Sequence, residues 1–209
     1  MPLYKTLNPN SNTTVKIWKI TESFDALLKP VALREVCMQR VMGMKSELHQ
    51  RGFLSVRHLL AEFGYTDHDL FYDENGKPHL KDGKHISITH SFQFSAIAIS
   101  NQEIGIDIEK QREKIKIIAH KFTDYETDYL LEKASDYVRK LSVIWCAKES
   151  LYKLFATPGL SFKQHCLVLP FTFEDSETIA WIDYEGSKQR YTINYLEFEG
   201  FTCAFALPS

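Results

Sequence analysis

The sequence predicts an α+β protein built from two similar lobes. Along its 209 residues the predicted elements run strand, helices, strands, and then run through that order a second time. A hydrophobic content of 44% is enough for one large domain or for two small lobes with a shared core. We therefore predict a pseudo-dimer with an N-terminal lobe at residues 1–100, a C-terminal lobe at residues 101–209 and a ligand site in the cleft between them.

The elements of the first lobe follow from apolar periodicity and from turn residues. An apolar stripe at helical spacing predicts a helix at residues 45–63, and Gly64 is suited to its C-cap. The sequence DENG at residues 73–76 signals a turn. The other predicted elements are a strand at 15–20, a helix at 34–42 and strands at 85–89 and 95–100.

The second lobe is predicted to begin with a strand at residues 103–109 and a helix near Lys114. The sequence TDYE at residues 123–126 has the form of a capping box that opens another helix. A long helix is predicted at 135–155, ended by Thr-Pro-Gly. The remaining predicted strands are at 166–169, 178–184, 190–198 and 201–207.

The first chemical motif is the stretch GIDIE at residues 105–109. Its alternation places isoleucines on one face of a strand and both Asp107 and Glu109 on the other. Two carboxylates at this spacing repel each other unless a cation lies between them, and an oxygen-only pair suits Mg²⁺. Gly105 would allow a ligand to approach closely. A solvated strand face is the alternative interpretation.

The second motif is the stretch WCAKESLYK at residues 145–153 of the long predicted helix. Trp145, Glu149 and Lys153 are spaced i, i+4, i+8 and therefore share a face. This face offers a third carboxylate ligand and a cation for a phosphate. An ordinary Glu-to-Lys surface pair is the alternative interpretation.

Composition limits the classes of function. The formal net charge of −2 implies no general attraction to nucleic acid. No apolar run approaches the length of a membrane span, and the first residues lack the apolar core of a signal peptide. The four cysteines are widely spaced without a C-x-x-C pattern, which predicts a reducing, cytoplasmic setting rather than a zinc or disulfide site.

Taken together, the motifs resemble those of the 4′-phosphopantetheinyl transferases, in particular the larger single-chain, two-lobed (surfactin-synthetase-activating) class. Besides GIDIE and WCAKESLYK, the similar blocks are NGKPHL at 75–80, ISITHS at 86–91 and GLSF at 159–162. Each block alone is weak, but their order and spacing agree with the family pattern. Three residues depart from the family pattern. Cys146 stands where the family often has Ser or Thr, Ser87 stands in place of Asn, and Thr89 stands in place of Ser.

The resemblance implies the transfer of the 4′-phosphopantetheine arm of coenzyme A to a serine of an acyl- or peptidyl-carrier protein. It implies Mg²⁺, or alternatively Mn²⁺, held by Asp107, Glu109 and Glu149. Glu149 or Lys153 would take the serine proton, and Lys148 and Lys153 would bind phosphate.

The coenzyme A site is also implied by the resemblance. His90 would bind the 3′-phosphate, and Thr89 and Ser91 would contact the nucleotide or diphosphate. Basic side chains of the first lobe would add further contacts to the adenine and phosphates. These are Arg51, Arg57 and Lys77. For the two arginines, a solvated helix face is the alternative.

The implied partners are coenzyme A and a carrier protein, with no nucleic acid and no membrane, and the expected state is a monomer. Two other functions stay open from the residues: a Mg²⁺-dependent phosphohydrolase or nuclease, and a non-catalytic scaffold that binds coenzyme A. Against a nuclease, Glu109 is followed directly by Lys110, which is the wrong spacing for the E-x-K pattern of many such enzymes. The pathway of the carrier protein stays open.

Overall fold

A computed structural model describes residues 3–209. The chain divides into two compact units, one ending at Gln102 and the other comprising Glu103–Ser209. Each unit has its own buried apolar cluster. The structure confirms a mixed helix and strand content, as the sequence predicts.

Over its described residues, 3–102, the first unit contains one four-stranded antiparallel sheet, a two-stranded hairpin and three helices. The strands are β1 (Leu3–Asn10), β2 (Thr13–Lys19), β3 (Leu70–Tyr72), β4 (Pro78–Leu80), β5 (His85–Ser91) and β6 (Phe94–Ser100). The helices are α1 (Phe24–Leu28), α2 (Glu35–Met42) and α3 (Glu47–Glu62). The sheet order is β1-β2-β6-β5, and β3 pairs with β4. Gly64 follows α3 with a φ of +83°, in agreement with the predicted C-cap.

The second unit contains a five-stranded antiparallel sheet and three helices. The strands are β7 (Gly105–Lys110), β8 (Cys166–Val168), β9 (Glu177–Tyr184), β10 (Ser187–Phe198) and β11 (Phe201–Pro208). The helices are α4 (Ile115–Phe122), α5 (Tyr137–Phe155) and α6 (Phe162–His165). The order β7-β11-β10-β9-β8 makes β11 the neighbour of β7, with Asp107 opposite Ala204.

The predicted capping box at residues 123–126 does not open an α-helix. A single 3₁₀ turn, Tyr125–Asp128, stands there instead. The Thr123 hydroxyl donates backwards to the Ala119 carbonyl at 2.9 Å, and the Glu126 side chain is fully buried. The prediction is wrong because tertiary contacts of Glu126 replace the local contacts that a capping box needs.

Among residues 3–209, no helix is both long enough and apolar enough to cross a membrane.

Candidate active site

Helix α5 lies very close to strand β7 because Gly105 has no side chain. A Cβ atom built on Gly105 would lie 1.8 Å from the Ser150 carbonyl oxygen and 3.1 Å from the Leu154 backbone nitrogen. The Ser150 hydroxyl also donates to the Ala204 carbonyl of β11 at 2.9 Å. The prediction that Gly105 admits a ligand is corrected: in this structure the glycine admits the backbone of α5.

Asp107 is buried against α5, with 5% of its surface exposed. Its Oδ1 accepts a hydrogen bond from Lys153 Nζ at 2.8 Å, and the same ammonium donates to the Ile106 carbonyl at 2.9 Å. The alternative of a solvated strand face is therefore wrong for Asp107. The alternative of a surface Glu149–Lys153 pair is also wrong, because Lys153 forms its salt bridge with the strand.

Glu149 is half-buried, and among the described residues its carboxylate has no salt bridge or hydrogen bond. Its pKa is raised from 4.5 to about 7, mainly by burial and also by the negative charges of Asp107 and Glu109, while the charge of Lys153 opposes the rise. The two predicted motifs thus meet at one place, where three carboxylates act on one another across α5 and β7. Near neutral pH, Glu149 can exchange a proton.

The donor chemistry of these three carboxylates fits a hard divalent cation. All their ligand atoms are oxygens, and a cation would relieve the repulsion that raises the Glu149 pKa. Within the part of the chain that the structure describes, no three His, Cys, Asp or Glu side chains are gathered closely enough to hold a metal. Assembling the ligands would therefore require Asp107, Glu109 and Glu149 to change their side-chain conformations.

Lys148 corrects a prediction. Its side chain is completely buried, and its ammonium forms a 2.7 Å salt bridge with Glu126. The same ammonium donates to the backbone carbonyls of Phe122 at 2.7 Å and Phe162 at 3.0 Å. All three N–H donors are used internally and no surface is left for a phosphate, so the predicted phosphate contact is replaced by an internal role.

Glu126 is a residue that sequence reasoning missed as a partner of the second motif. Its Oε1 accepts the Val168 backbone N–H at 2.9 Å in addition to the Lys148 ammonium. Burial lowers the Lys148 pKa, and the charge of Glu126 opposes that lowering. The TDYE stretch at residues 123–126 contains this glutamate, but its pattern predicts a helix cap and not a buried salt bridge.

Arg57 is a second correction. It is 4% exposed, and its Nε donates to Asp67 at 3.0 Å. Its guanidinium lies 3.5 Å from the centre of the Phe53 ring and donates to the Phe53 carbonyl and to Cys37 Sγ. Burial raises the pKa of Asp67, but bonds from Arg34, Cys37 and Arg57 reverse that effect and leave the pKa lowered. Arg57 stabilises the interior of the first unit, and the predicted coenzyme contact is not supported.

We expect Arg57→Met to lower the free energy of unfolding by about 3–5 kcal/mol, because Asp67 would stay buried without one of its charged partners. Chemical denaturation checks this value. Arg190→Met is the matched control, since Arg190 is exposed and we expect a change within about 0.5 kcal/mol there. Equal losses in the two variants would contradict the assignment.

The remaining predicted coenzyme residues lie in the first unit. His90 is exposed at the end of β5, and its ring lies over Gly52 of α3, where an added Cβ would be 3.2 Å from Nδ1. Arg51 precedes that glycine, and its guanidinium donates to the Ile20 carbonyl at 3.2 Å. The Arg51 Nε is buried without a hydrogen-bond partner among the described residues.

The other three predicted coenzyme residues are Thr89 and Ser91, on either side of His90, and Lys77, further back in the chain. Thr89 is buried within β5, whereas Ser91 at the end of the strand is half-buried. Lys77 lies in the hairpin turn between β3 and β4, where its backbone N–H donates to Asp73 at 2.9 Å. The structure thus places Thr89, His90 and Ser91 on one strand, and Lys77 on a separate hairpin.

The second unit brings the carboxylates of Asp107, Glu109 and Glu149 into mutual electrostatic interaction at the junction of α5 and β7. Residues 103–206 match the family model of the 4′-phosphopantetheinyl transferase superfamily. The 4′-phosphopantetheinyl transferase gsp of Aneurinibacillus migulanus is 29% identical over 153 residues. That match covers 71% of this chain and 62% of the relative, so the chain spans about three fifths of the relative's length. Residues 103–206 therefore form a domain of the 4′-phosphopantetheinyl transferase superfamily.

Proposed function

We propose that this protein transfers the 4′-phosphopantetheine arm of coenzyme A to a serine hydroxyl of an acyl- or peptidyl-carrier protein. The products would be the holo-carrier protein and adenosine 3′,5′-bisphosphate. The observation that carries the proposal is the meeting of Asp107, Glu109 and Glu149 at the junction of α5 and β7, inside the matched residues. Lys153 contributes a cation at the same place.

Asp107, Glu109 and Glu149 would hold the cation, Mg²⁺ or alternatively Mn²⁺. When bound, the cation supplies positive charge that offsets the negative charge developing on the leaving group as the phosphoanhydride bond breaks. The support for this assignment is the oxygen-only donor set and the pKa of Glu149, which burial together with the charges of Asp107 and Glu109 raises to about 7.

Glu149 would accept the proton of the carrier serine, directly or through a water. The support for this role is that the half-buried Glu149 carboxylate has no hydrogen bond among the described residues, which leaves an oxygen to accept the proton. Lys153 lies one turn further along α5 and would direct its ammonium to the transferred phosphate or take part in proton transfer. The nucleophile comes from the partner protein, so this chain needs no nucleophilic side chain of its own.

In the first unit, His90 and Arg51 would bind the 3′-phosphate of coenzyme A. The support is the exposed His90 imidazole over Gly52, with Arg51 as the neighbouring residue of that glycine on α3. Thr89, Ser91 and Lys77 would contact the rest of the nucleotide. The cleft position, the monomeric state and the cytoplasmic setting stay predictions.

The decisive experiment is intact-protein mass spectrometry on a panel of apo carrier proteins incubated with the protein, coenzyme A and Mg²⁺. We expect a mass gain of one phosphopantetheine arm on at least one carrier, abolished by a chelator. Titrations with coenzyme A and with single-stranded DNA run alongside. A gain on no carrier, together with no binding of coenzyme A, would refute the proposal. Binding of coenzyme A without any transfer would favour a scaffold, and cleavage of DNA would favour a nuclease.

A further inference from the structure

The Lys148 ammonium donates to acceptors on three separate segments of the chain. One bond ends on Phe122 at the end of α4, one on Glu126 in the 3₁₀ turn, and one on Phe162 at the start of α6. Glu126 extends the network to a fourth segment through the Val168 N–H at the end of β8. An ammonium donates along three tetrahedral directions, and all three directions are used here.

Trp145, one turn before Lys148, contacts two of the same segments. Its ring lies edge-on to Phe122, with centroids 5.0 Å apart, and edge-on to Phe162 at 5.6 Å. Trp145 and Lys148 therefore both contact the end of α4 and the start of α6. The motif WCAKESLYK has two roles: Trp145 and Lys148 contact these segments, while Glu149 and Lys153 are directed towards β7.

The rotation and axial position of α5 determine where the Glu149 carboxylate lies. Glu149 has no hydrogen bond or salt bridge of its own among the described residues, so the backbone of α5 sets its place. We propose that the buried Lys148–Glu126 pair is a positioning device that holds α5 in the rotation in which Glu149 faces Asp107 and Glu109. Lys148 is then a positioning residue and not a phosphate ligand, an inference that depends on the proposed transferase function.

The charge-conserving variant Lys148→Arg separates the two roles. A planar guanidinium does not reproduce the tetrahedral set of acceptors, so we expect kcat to fall about tenfold to hundredfold through displacement of Glu149. The Kd for coenzyme A, measured by calorimetry, should stay within about twofold of the wild type. A phosphate ligand would give the opposite result, because arginine binds phosphate well: kcat near the wild-type value for Lys148→Arg, and a weakened Kd for Lys148→Met.

The matched controls are Lys140→Arg and Lys140→Met. Lys140 also lies on α5 and forms a salt bridge with Asp136 at 3.2 Å, but that pair is partly exposed. We expect both controls to keep the wild-type kcat and the wild-type Kd. A kcat loss in Lys140→Arg as large as that in Lys148→Arg would overturn the assignment to the buried pair.

A double variant covers the case in which single substitutions prevent folding. Lys148→Met combined with Glu126→Gln removes both charges at similar volume, and we expect its thermal midpoint to exceed that of Lys148→Met alone. In this double variant hydrogen exchange should increase in residues 122–128 and 161–168, with kcat lowered and the coenzyme A Kd unchanged. Unchanged exchange in both segments, or a tenfold weaker Kd, would overturn the proposal. If the wild type transfers nothing, the proposed transferase function is refuted. The hydrogen-exchange data still test whether the Lys148–Glu126 pair holds the surrounding segments.

Discussion

Glu149→Gln is expected to remove transferase activity while leaving the protein folded. The amide cannot accept a proton, and it is a weaker ligand for a divalent cation, so kcat should fall about 10²–10⁴-fold. Intact mass of a carrier protein incubated with coenzyme A and Mg²⁺ measures the loss. The exposed Glu132→Gln is the matched control and should retain wild-type activity. Full activity of Glu149→Gln would contradict the role of Glu149 as cation ligand and proton acceptor.

The same variant should change how stability depends on pH in chelator-treated protein. The folded-state pKa of Glu149, about 7, lies above its ordinary value of 4.5. The protonated form is therefore favoured by folding, so its contribution to stability is fully present below pH 4.5 and is lost as the pH rises to about 7. Wild type should lose stability across this interval relative to Glu149→Gln. Parallel stability curves for the two proteins, measured by denaturant titration, would contradict the raised pKa.

Gly105→Ala, which adds a single methyl group, is expected to lower both the stability of the fold and the transfer activity. The new Cβ would lie 1.8 Å from the Ser150 carbonyl oxygen and 2.7 Å from its carbonyl carbon, and both are backbone atoms of α5. The helix would have to move away from β7, at a cost of about 3 kcal/mol or more. Denaturant unfolding measures this cost, and transfer activity should fall with it because Glu149 moves with the helix.

Gly186→Ala is the matched control for that experiment. Gly186 has a φ of +78° and no atom near the added Cβ, so the substitution introduces backbone strain without a clash. We expect a loss of about 1 kcal/mol. If Gly105→Ala costs no more than this control, the close approach of α5 to β7 is not as described.

The two motifs predicted the place of the candidate site because their residue spacing reflects element geometry. Strand alternation places Asp107 and Glu109 on the face towards α5, and helical spacing places Glu149 and Lys153 on the face towards β7. Sequence spacing does not identify the partner of a side chain across elements. It therefore could not predict that Lys153 pairs with Asp107 rather than with Glu149.

Other features were beyond prediction because they depend on distant contacts. Strand β1 was missed: its side chains are mostly exposed, so the stretch lacks the alternation of a half-buried strand. Lys148 and Glu126 are 22 positions apart in the chain. Both have charged side chains that are usually exposed, so only the folded arrangement reveals that they bury each other.

The two roles found on α5 have a consequence for how variation in this chain should be interpreted. In a library of variants scored separately for protein abundance and for turnover, positions 145 and 148 should score low in abundance, because they hold the surrounding segments. Position 149, whose side chain has no salt bridge among the described residues, should keep normal abundance and lose turnover. Adjacent positions 148 and 149 of the stretch 145–153 would then differ in phenotype, although a list of sequence motifs treats the whole stretch as one unit.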